Sequence, residues 1–564
     1  MGTDLTLKLS RFFMCKKTIN NIQLVSVELG QSLFEFTNKY CKQESNDKLL
    51  TNKAFHRLCT LGRKMGVNNA VVENILPSAN EIKDECEALY IYYNKKINIE
   101  AYRITFITQH ITSLEQIPSL TDQDFLSSTI VINFESPDRG WITYLYYSIV
   151  AVPKIINHPK FSKCGTLPLL NNYLHIYKNF PCEVGFFDGK PHTFHINGTL
   201  FFQQNSVTSV CAHASLCMAI NNMSSYTGDF ITPEYINKII GVDHKKNKFK
   251  FPSENPKEGL TKEEIESILN KCGLKFVRQD FFQAPNIEYN DFIYKFLESR
   301  YPVLLIFTTS GASSHIVSVF GHTLNSDLWR PEAEIAYTNR FSYYKPSSAW
   351  VDNFIIHDDN FGMYVCMPVE ALKRITLPKY DKSFRAVYAL ALRPKEVETS
   401  AEEAEAASAY VTHTLFKTMD KLITDVWTKR LFNFNKFRPF VIRTLCVSKE
   451  EYKKSMEKTD FEGNSFSVSD KTELLNNLPN IFWLSELTLP DLYTANKSKI
   501  IDFFYSCNYP EFADSEQDFL KRWIQVRFPS KLIKNSDPLS YRELQVKSHY
   551  PLFRMSTEQE TLDW

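Results

Sequence analysis

The sequence has almost no net charge: 65 Lys and Arg stand against 64 Asp and Glu, leaving the chain formally at +1. Bulk electrostatics therefore give no support for a nucleic-acid or membrane-surface partner. No pair among the twelve cysteines has CxxC spacing. In a chain this long, scattered cysteines argue against a disulfide framework or a zinc site and predict reduced, mostly buried thiols. The longest apolar run, 142–152, is too short to cross a bilayer, so no membrane association is expected. Residues 1–17 have no apolar h-region, which predicts no secretory signal and a cytoplasmic protein. Gly2 and Thr6 fit only the short, loose pattern for N-myristoylation. No internal repeat is visible.

With 43% hydrophobic residues over 564 positions, the chain can bury several cores, and three or four domains are expected. Residues 1–95 are expected to be mainly helical, with helical spacing over 55–76 and 81–93. Residues 96–200 turn to β-branched and aromatic runs, at 102–108 and 129–134, and are expected to form an α+β lead-in. His192 and His195 lie close together there, but without a convergent third ligand they are expected to be structural. The Ala- and Glu-rich stretch 396–409 is expected to be a linker, as an exposed helix or a flexible segment. Residues 410–564 are expected to form a mixed α/β C-terminal domain. A helix through Leu415, Met419, Leu422, Ile423, Val426 and Trp427 opens it, and strands follow at 440–447 and 481–487. Glu486, in an apolar strand, is expected to face solvent or be paired. Neither flank carries a catalytic signature, and either could bind a protein partner.

Residues 201–395 have the clearest local grammar. Thr232-Pro233-Glu234 caps a helix that Gly241 closes. Thr261 and Glu264 form a capping box for a second helix, ending at Gly273. A third helix over 290–299 precedes the apolar strand 303–307. Gly311 and a small-residue loop lead to His315 and a strand over 316–320, which Gly321-His322 is expected to end. A later strand over 354–356 runs into His357-Asp358-Asp359-Asn360. Helices first and antiparallel strands after is an α+β layout.

The stretch 201–223 reads FFQQNSVTSVCAHASLCMAINNM. Thr208 or Ser209 can cap a helix that starts at Cys211. The free amides and the helix dipole of a first turn favour an anion, which makes a thiolate nucleophile available. A thiol nucleophile needs a base, and the base needs a third group to orient it. His315 at the start of one strand and Asp358 at the end of another supply both. Asp359 replaces Asp358 if the strand ends one residue later. His213 stands two residues from Cys211 on a different helix face, so it is rejected as base. His322 is the rival to His315, Cys217 is expected to be core, and alternation sends His357 to the face opposite Asp358.

Residues 203–222 resemble the nucleophile helix of papain-like cysteine peptidases, in the branch of double-glycine leader peptidases and phytochelatin synthases. SSHIVSVFGH is similar to the base strand of that family, and NFIIHDDNFG to its acid strand. The resemblance covers 201–366 and implies a nucleophile helix packed on an antiparallel sheet. It implies hydrolysis of a peptide, isopeptide or amide bond in a protein or peptide substrate, through a Cys211–His315–Asp358 triad and a thioester. It implies no metal and no cofactor. A glutamine before the nucleophile completes the oxyanion hole in this family. Here Asn205 stands six residues before Cys211, so Gln204 is the first choice and Gln203 and Asn205 remain open. Capture of the thioester by an amine or thiol, as in transglutaminases or phytochelatin synthases, is the alternative. An inactive scaffold that binds a partner is another.

Because a helix-start thiol is favoured as thiolate, a mild alkylating reagent near neutral pH should label Cys211 first among the twelve cysteines. Peptide mapping by mass spectrometry checks this. Earlier labelling of Cys217 would move the nucleophile by almost two helical turns.

Overall fold

The computed structural model describes residues 19–27, 31–42, 52–153, 171–187, 190–245, 259–283, 288–308, 314–324, 344–372, 385–416, 426, 429–430, 439–457, 459, 463–495, 499–508, 521–537, 540–545 and 560–561. Gly2, Thr6, Gly311 and the positions Met419, Leu422, Ile423 and Trp427 lie outside the described residues. The architecture is α+β, with mostly antiparallel sheets and several helices.

The first sheet has the order β1-β2-β3-β4-β5-β8-β7. Its strands are β1 (Ile19–Ser26), β2 (Asn69–Ile75), β3 (Ile99–Ile107), β4 (Phe125–Ser136), β5 (Gly140–Ala151), β7 (Lys178–Phe187) and β8 (Lys190–Phe201), while β6 (Asn171–Leu174) leaves for the second sheet. Three helices accompany it: α1 (Gln31–Tyr40), α2 (Lys53–Lys64) and α3 (Lys83–Tyr93). The helical reading of 55–76 therefore needs correction, because its second half is β2. The segment NAVVENI is almost wholly buried and is hydrogen-bonded to β1 on one side and β3 on the other. Pairing on both edges satisfies its backbone and overrides the helical spacing. One sheet thus draws strands from both sides of the expected boundary at 95, and 1–95 is not a separate helical unit.

The second sheet runs β14-β13-β11-β10-β15-β9. Its strands are β9 (Lys275–Asp280), β10 (Val303–Thr308), β11 (Ser314–Leu324), β13 (Val351–Asp358), β14 (Gly362–Pro368) and β15 (Arg385–Arg393). Four helices belong to this part of the chain: α4 (Cys211–Asn222), α5 (Pro233–Ile240), α6 (Lys262–Lys271) and α7 (Tyr289–Glu298). The caps read from sequence are present: Thr232 accepts from the Tyr235 N–H, and Thr261 and Glu264 bond reciprocally. β11 does not end at Gly321, however, but continues to Leu324. There it pairs with β6 as well as β13. A Cβ at Gly321 would lie 2.2 Å from the Tyr173 carbonyl oxygen, so the glycine admits a close strand instead of closing one. His322 is consequently a buried strand residue, not a turn residue.

The third sheet starts with β12 (Tyr344–Pro346), which pairs in parallel with β16 (Phe440–Ser448). It continues through β17 (Ile481–Thr488), β18 (Ile501–Ser506), β19 (Trp523–Arg527), β20 (Lys531–Asp537) and β21 (Ser540–Gln545). The expected linker 396–409 is corrected here. Residues Ala401–Phe416 form helix α8, packed on β16 and β17. Ala401, Ala404, Ala407 and Ser408 are buried, because small side chains let helix and sheet approach closely. The Ala-rich composition marks an interface.

A row of buried ion pairs crosses from the second sheet region to the third. Glu298 of α7 accepts from Arg443 Nε at 2.9 Å, and Arg443 Nη1 donates to Glu486 at 2.8 Å. Lys499 bonds Glu486 at 2.6 Å and Asp502 at 2.7 Å, and Arg527 Nε bonds Asp502 at 3.0 Å. Three acids thus face three bases, and Glu486 is paired, not solvent-facing. Arg443→Ala leaves two carboxylates buried beside a void, and should destabilise the chain by about 3–5 kcal/mol. Urea unfolding measures this. A loss below about 1 kcal/mol, the scale of an exposed pair, would show that the row does not act as a unit.

Candidate active site

Cys211 occupies the first position of α4, as the sequence predicts, but the cap differs. The capping position belongs to Val210, and neither Thr208 nor Ser209 fills it. The preceding loop is instead fastened by Asn205. Its side-chain carbonyl accepts from the N–H groups of Val207, Thr208 and Ser209, at 2.8, 2.8 and 3.1 Å. Its amide donates to Glu85 of α3 and to Thr208, both at 2.7 Å. Burial and the charge of Glu234 push the Glu85 carboxyl up to about 7, against the opposing hydrogen bonds from Tyr144 and Asn205. His213 is buried and reaches back to the Val210 N–H and across to Asn237, so it braces the helix start. Burial holds its pKa down at about 4.

Helix α4 lies on β11 through two reciprocal hydrogen bonds. Ser215 Oγ donates to the Ile316 carbonyl at 2.9 Å, and Ser318 Oγ donates to the Ser215 carbonyl at 2.8 Å. These side chains pin the first turn of the helix next to the start of the strand. Cys211 is half-buried, and its thiol lies near enough to His315 to raise the proton affinity of the imidazole.

β13 runs antiparallel to β11, with His357 opposite Ser318, so its end lies beside the start of β11. His315 Nε2 is 3.2 Å from Asp358 Oδ1 and 3.6 Å from Asp359 Oδ1. That leaves Nδ1 as the ring nitrogen available to the thiol. Burial disfavours the imidazolium. Hydrogen bonds to Asp358 and Cys211 and the charges of the two aspartates outweigh it, pushing the His315 pKa up to about 11. Asp358 is itself held by the turn that follows, since its carboxylate accepts from the Asn360 N–H at 2.8 Å. Gly362 ends that turn at φ +110°, and a Cβ there would meet Arg57 of α2 at 2.9 Å. Arg57 in turn donates to the carbonyls of Met363 and Tyr364, so the first sheet's helix buttresses the turn.

The rivals fall elsewhere. His322 is fully buried and bonds Glu298 at 2.7 Å. His357 points away from Asp358 to Thr199, and burial pushes its pKa down to about 3. Cys217 is buried in α4. Gln203 Oε1 accepts from the Leu145 N–H and Asn52, and Asn205 is committed to the loop. Gln204 is half-buried and makes no side-chain hydrogen bond among the described residues.

Comparison with protein-family models, with curated proteins and with solved structures finds no match.

Sequence reasoning missed Asn360, whose side-chain amide lies 3.5 Å from His315 Nε2. The Asp-x-Asn-x-Gly spacing of a tight turn was a usable signal. Sequence reasoning treated Asp359 as a substitute for Asp358, whereas both carboxylates face the same histidine. Asp359 is fully buried, and burial and the Asp358 charge raise its carboxyl to about 7 against the pull of His315.

A carboxyl raised in the fold stabilises the folded state below its unfolded pKa near 4, and that contribution is lost as pH rises through about 7. Asp359→Asn cannot titrate. Its stability relative to the parent chain should therefore improve on going from about pH 5 to about pH 8. Urea unfolding at both values decides it, and an unchanged difference would mean that Asp359 is ionised throughout.

Proposed function

We propose that this chain is a papain-like thiol hydrolase that cleaves a peptide, isopeptide or amide bond, acting in the cytoplasm on a protein or peptide. The observation that carries the reading is the convergence of three side chains from separate elements. Cys211 begins a helix, His315 begins a strand beside the thiol, and Asp358 ends the neighbouring strand with its carboxylate 3.2 Å from His315 Nε2.

The chemistry is acyl transfer. His315 accepts the thiol proton at Nδ1 while Asp358 holds the ring and balances the imidazolium charge. The sulfur attacks the substrate carbonyl, and a tetrahedral oxyanion forms. The Cys211 backbone N–H, free at the first turn of α4, and the Gln204 side-chain amide donate to it. His315 then protonates the leaving amine, and a thioester remains on Cys211. Water, deprotonated by His315, hydrolyses it and restores the thiol.

His315→Ala should abolish hydrolysis of peptide-amide substrates and slow alkylation of Cys211, while His322→Ala should leave alkylation unchanged. Asp358→Asn should still alkylate but turn over orders of magnitude more slowly, because an amide cannot balance the imidazolium charge. Alkylation rates and turnover on a peptide library measure these effects. Amine incorporation in place of hydrolysis would make the enzyme an acyltransferase. A Cys211 that ignores the reagent in the native chain would make the fold an inactive scaffold.

A further inference from the structure

Two groups of ligand-type side chains converge among the described residues: His175, Glu298 and His322, all buried, and half-buried His315 with buried Asp358 and Asp359. Their electrostatics differ. Glu298 already holds Arg443 and heads the row in which three acids face three bases. A dication there would add uncompensated charge to a dry interior. At the second group two carboxylates face one imidazole. Neither carboxylate oxygen of Asp359 has a hydrogen-bond partner among the described residues beyond its own backbone N–H, although the side chain is fully buried. A buried carboxylate this poor in hydrogen-bond donors is an unusual and unfavourable arrangement unless something else meets it.

We propose that His315, Asp358 and Asp359 form a divalent-cation site of the zinc class, and that its occupancy switches off the thiol chemistry. The spacing fits. A four-coordinate zinc with bonds of about 2.0–2.1 Å sets its ligand atoms about 3.4 Å apart. His315 Nε2 stands 3.2 and 3.6 Å from the two carboxylate oxygens. The Asn360 side-chain amide lies 3.5 Å from the same nitrogen on the exposed side, and rotated by half a turn it offers its carbonyl oxygen as a fourth ligand. Two carboxylates and a neutral imidazole balance the charge of a dication.

The consequence for catalysis rests on the proposed function, whereas the binding itself does not. An imidazole coordinated through Nε2 keeps its proton on Nδ1 and has no lone pair for the thiol. The cation also takes Asp358 from its orienting role. The bound chain is then a resting form, and removing the cation restores the base.

Zinc chloride titrated calorimetrically into the metal-stripped, reduced full chain tests the site. One zinc should bind with an affinity that Asp359→Asn lowers at least tenfold and that Cys211→Ala lowers less than Asp359→Asn does. Equal melting temperatures of the variants establish that the fold is kept, and Asp358→Asn serves if the Asp359 variant unfolds. Undiminished binding in the Asp359 or Asp358 variant overturns the site. Binding lost in Cys211→Ala also overturns it, by assigning the metal to the sulfur. Zinc binding with this pattern in a chain that hydrolyses nothing would leave the site standing and remove the proposed function. Hydrolysis that zinc does not inhibit, with no zinc bound, would do the reverse.

Discussion

The seating of helix α4 on strand β11 is the contact on which the candidate site depends. Ser215 and Ser318 each donate a hydroxyl to a main-chain carbonyl of the opposing element. Alanines and serines on the inner face of α4 allow that approach, since larger side chains would hold the axes apart. The result is that a half-buried sulfur meets the imidazole of the neighbouring strand. The same helix is buried along nearly its whole length, so its stability comes from packing more than from its apolar cap at Val210.

The parts around this contact serve to keep it in register. Asn205 satisfies three amides of the loop before Cys211 and ties that loop to Glu85 of the first sheet's helix α3. Arg57 of α2 holds the strand after the acid turn. On the opposite side, the row from Glu298 to Arg527 joins α7 to the third sheet, and His322 of β11 leans on its first member. Such a row specifies one docking arrangement, because any displacement leaves a buried charge without its partner. Both flanks are therefore tied to the sheet that carries His315.

Much of the central region was legible in the sequence because its signals are local. Thr232-Pro233 and Gly241, and Thr261 with Glu264, act through the hydrogen bonds of one helix end, and the structure has both. The position of Cys211 at a helix start was legible for the same reason, and so was the opposite facing of His357 and Asp358 on one strand. The errors occur where a distant element intervenes. Gly321 reads as a terminator until β6 is seen lying against it. The segment 69–75 reads as helix until β1 and β3 are seen on its two edges. The Ala- and Glu-rich stretch 396–409 reads as a linker until the third sheet is placed beneath the helix that begins in it.

By itself the sequence determined the α+β class, the strand and helix character of most of 201–395 and the short list from which a nucleophile, a base and an acid could be drawn. Propensity, capping and side-chain periodicity act over a few residues and leave their mark there. The tertiary structure decided that His315 and not His322 faces Cys211, that two aspartates share one imidazole, and that Asn205 and Gln203 are committed to the scaffold while Gln204 is not. Those outcomes depend on which strands are neighbours and in what register. Register is set by long-range pairing and burial, which no local stretch of sequence encodes.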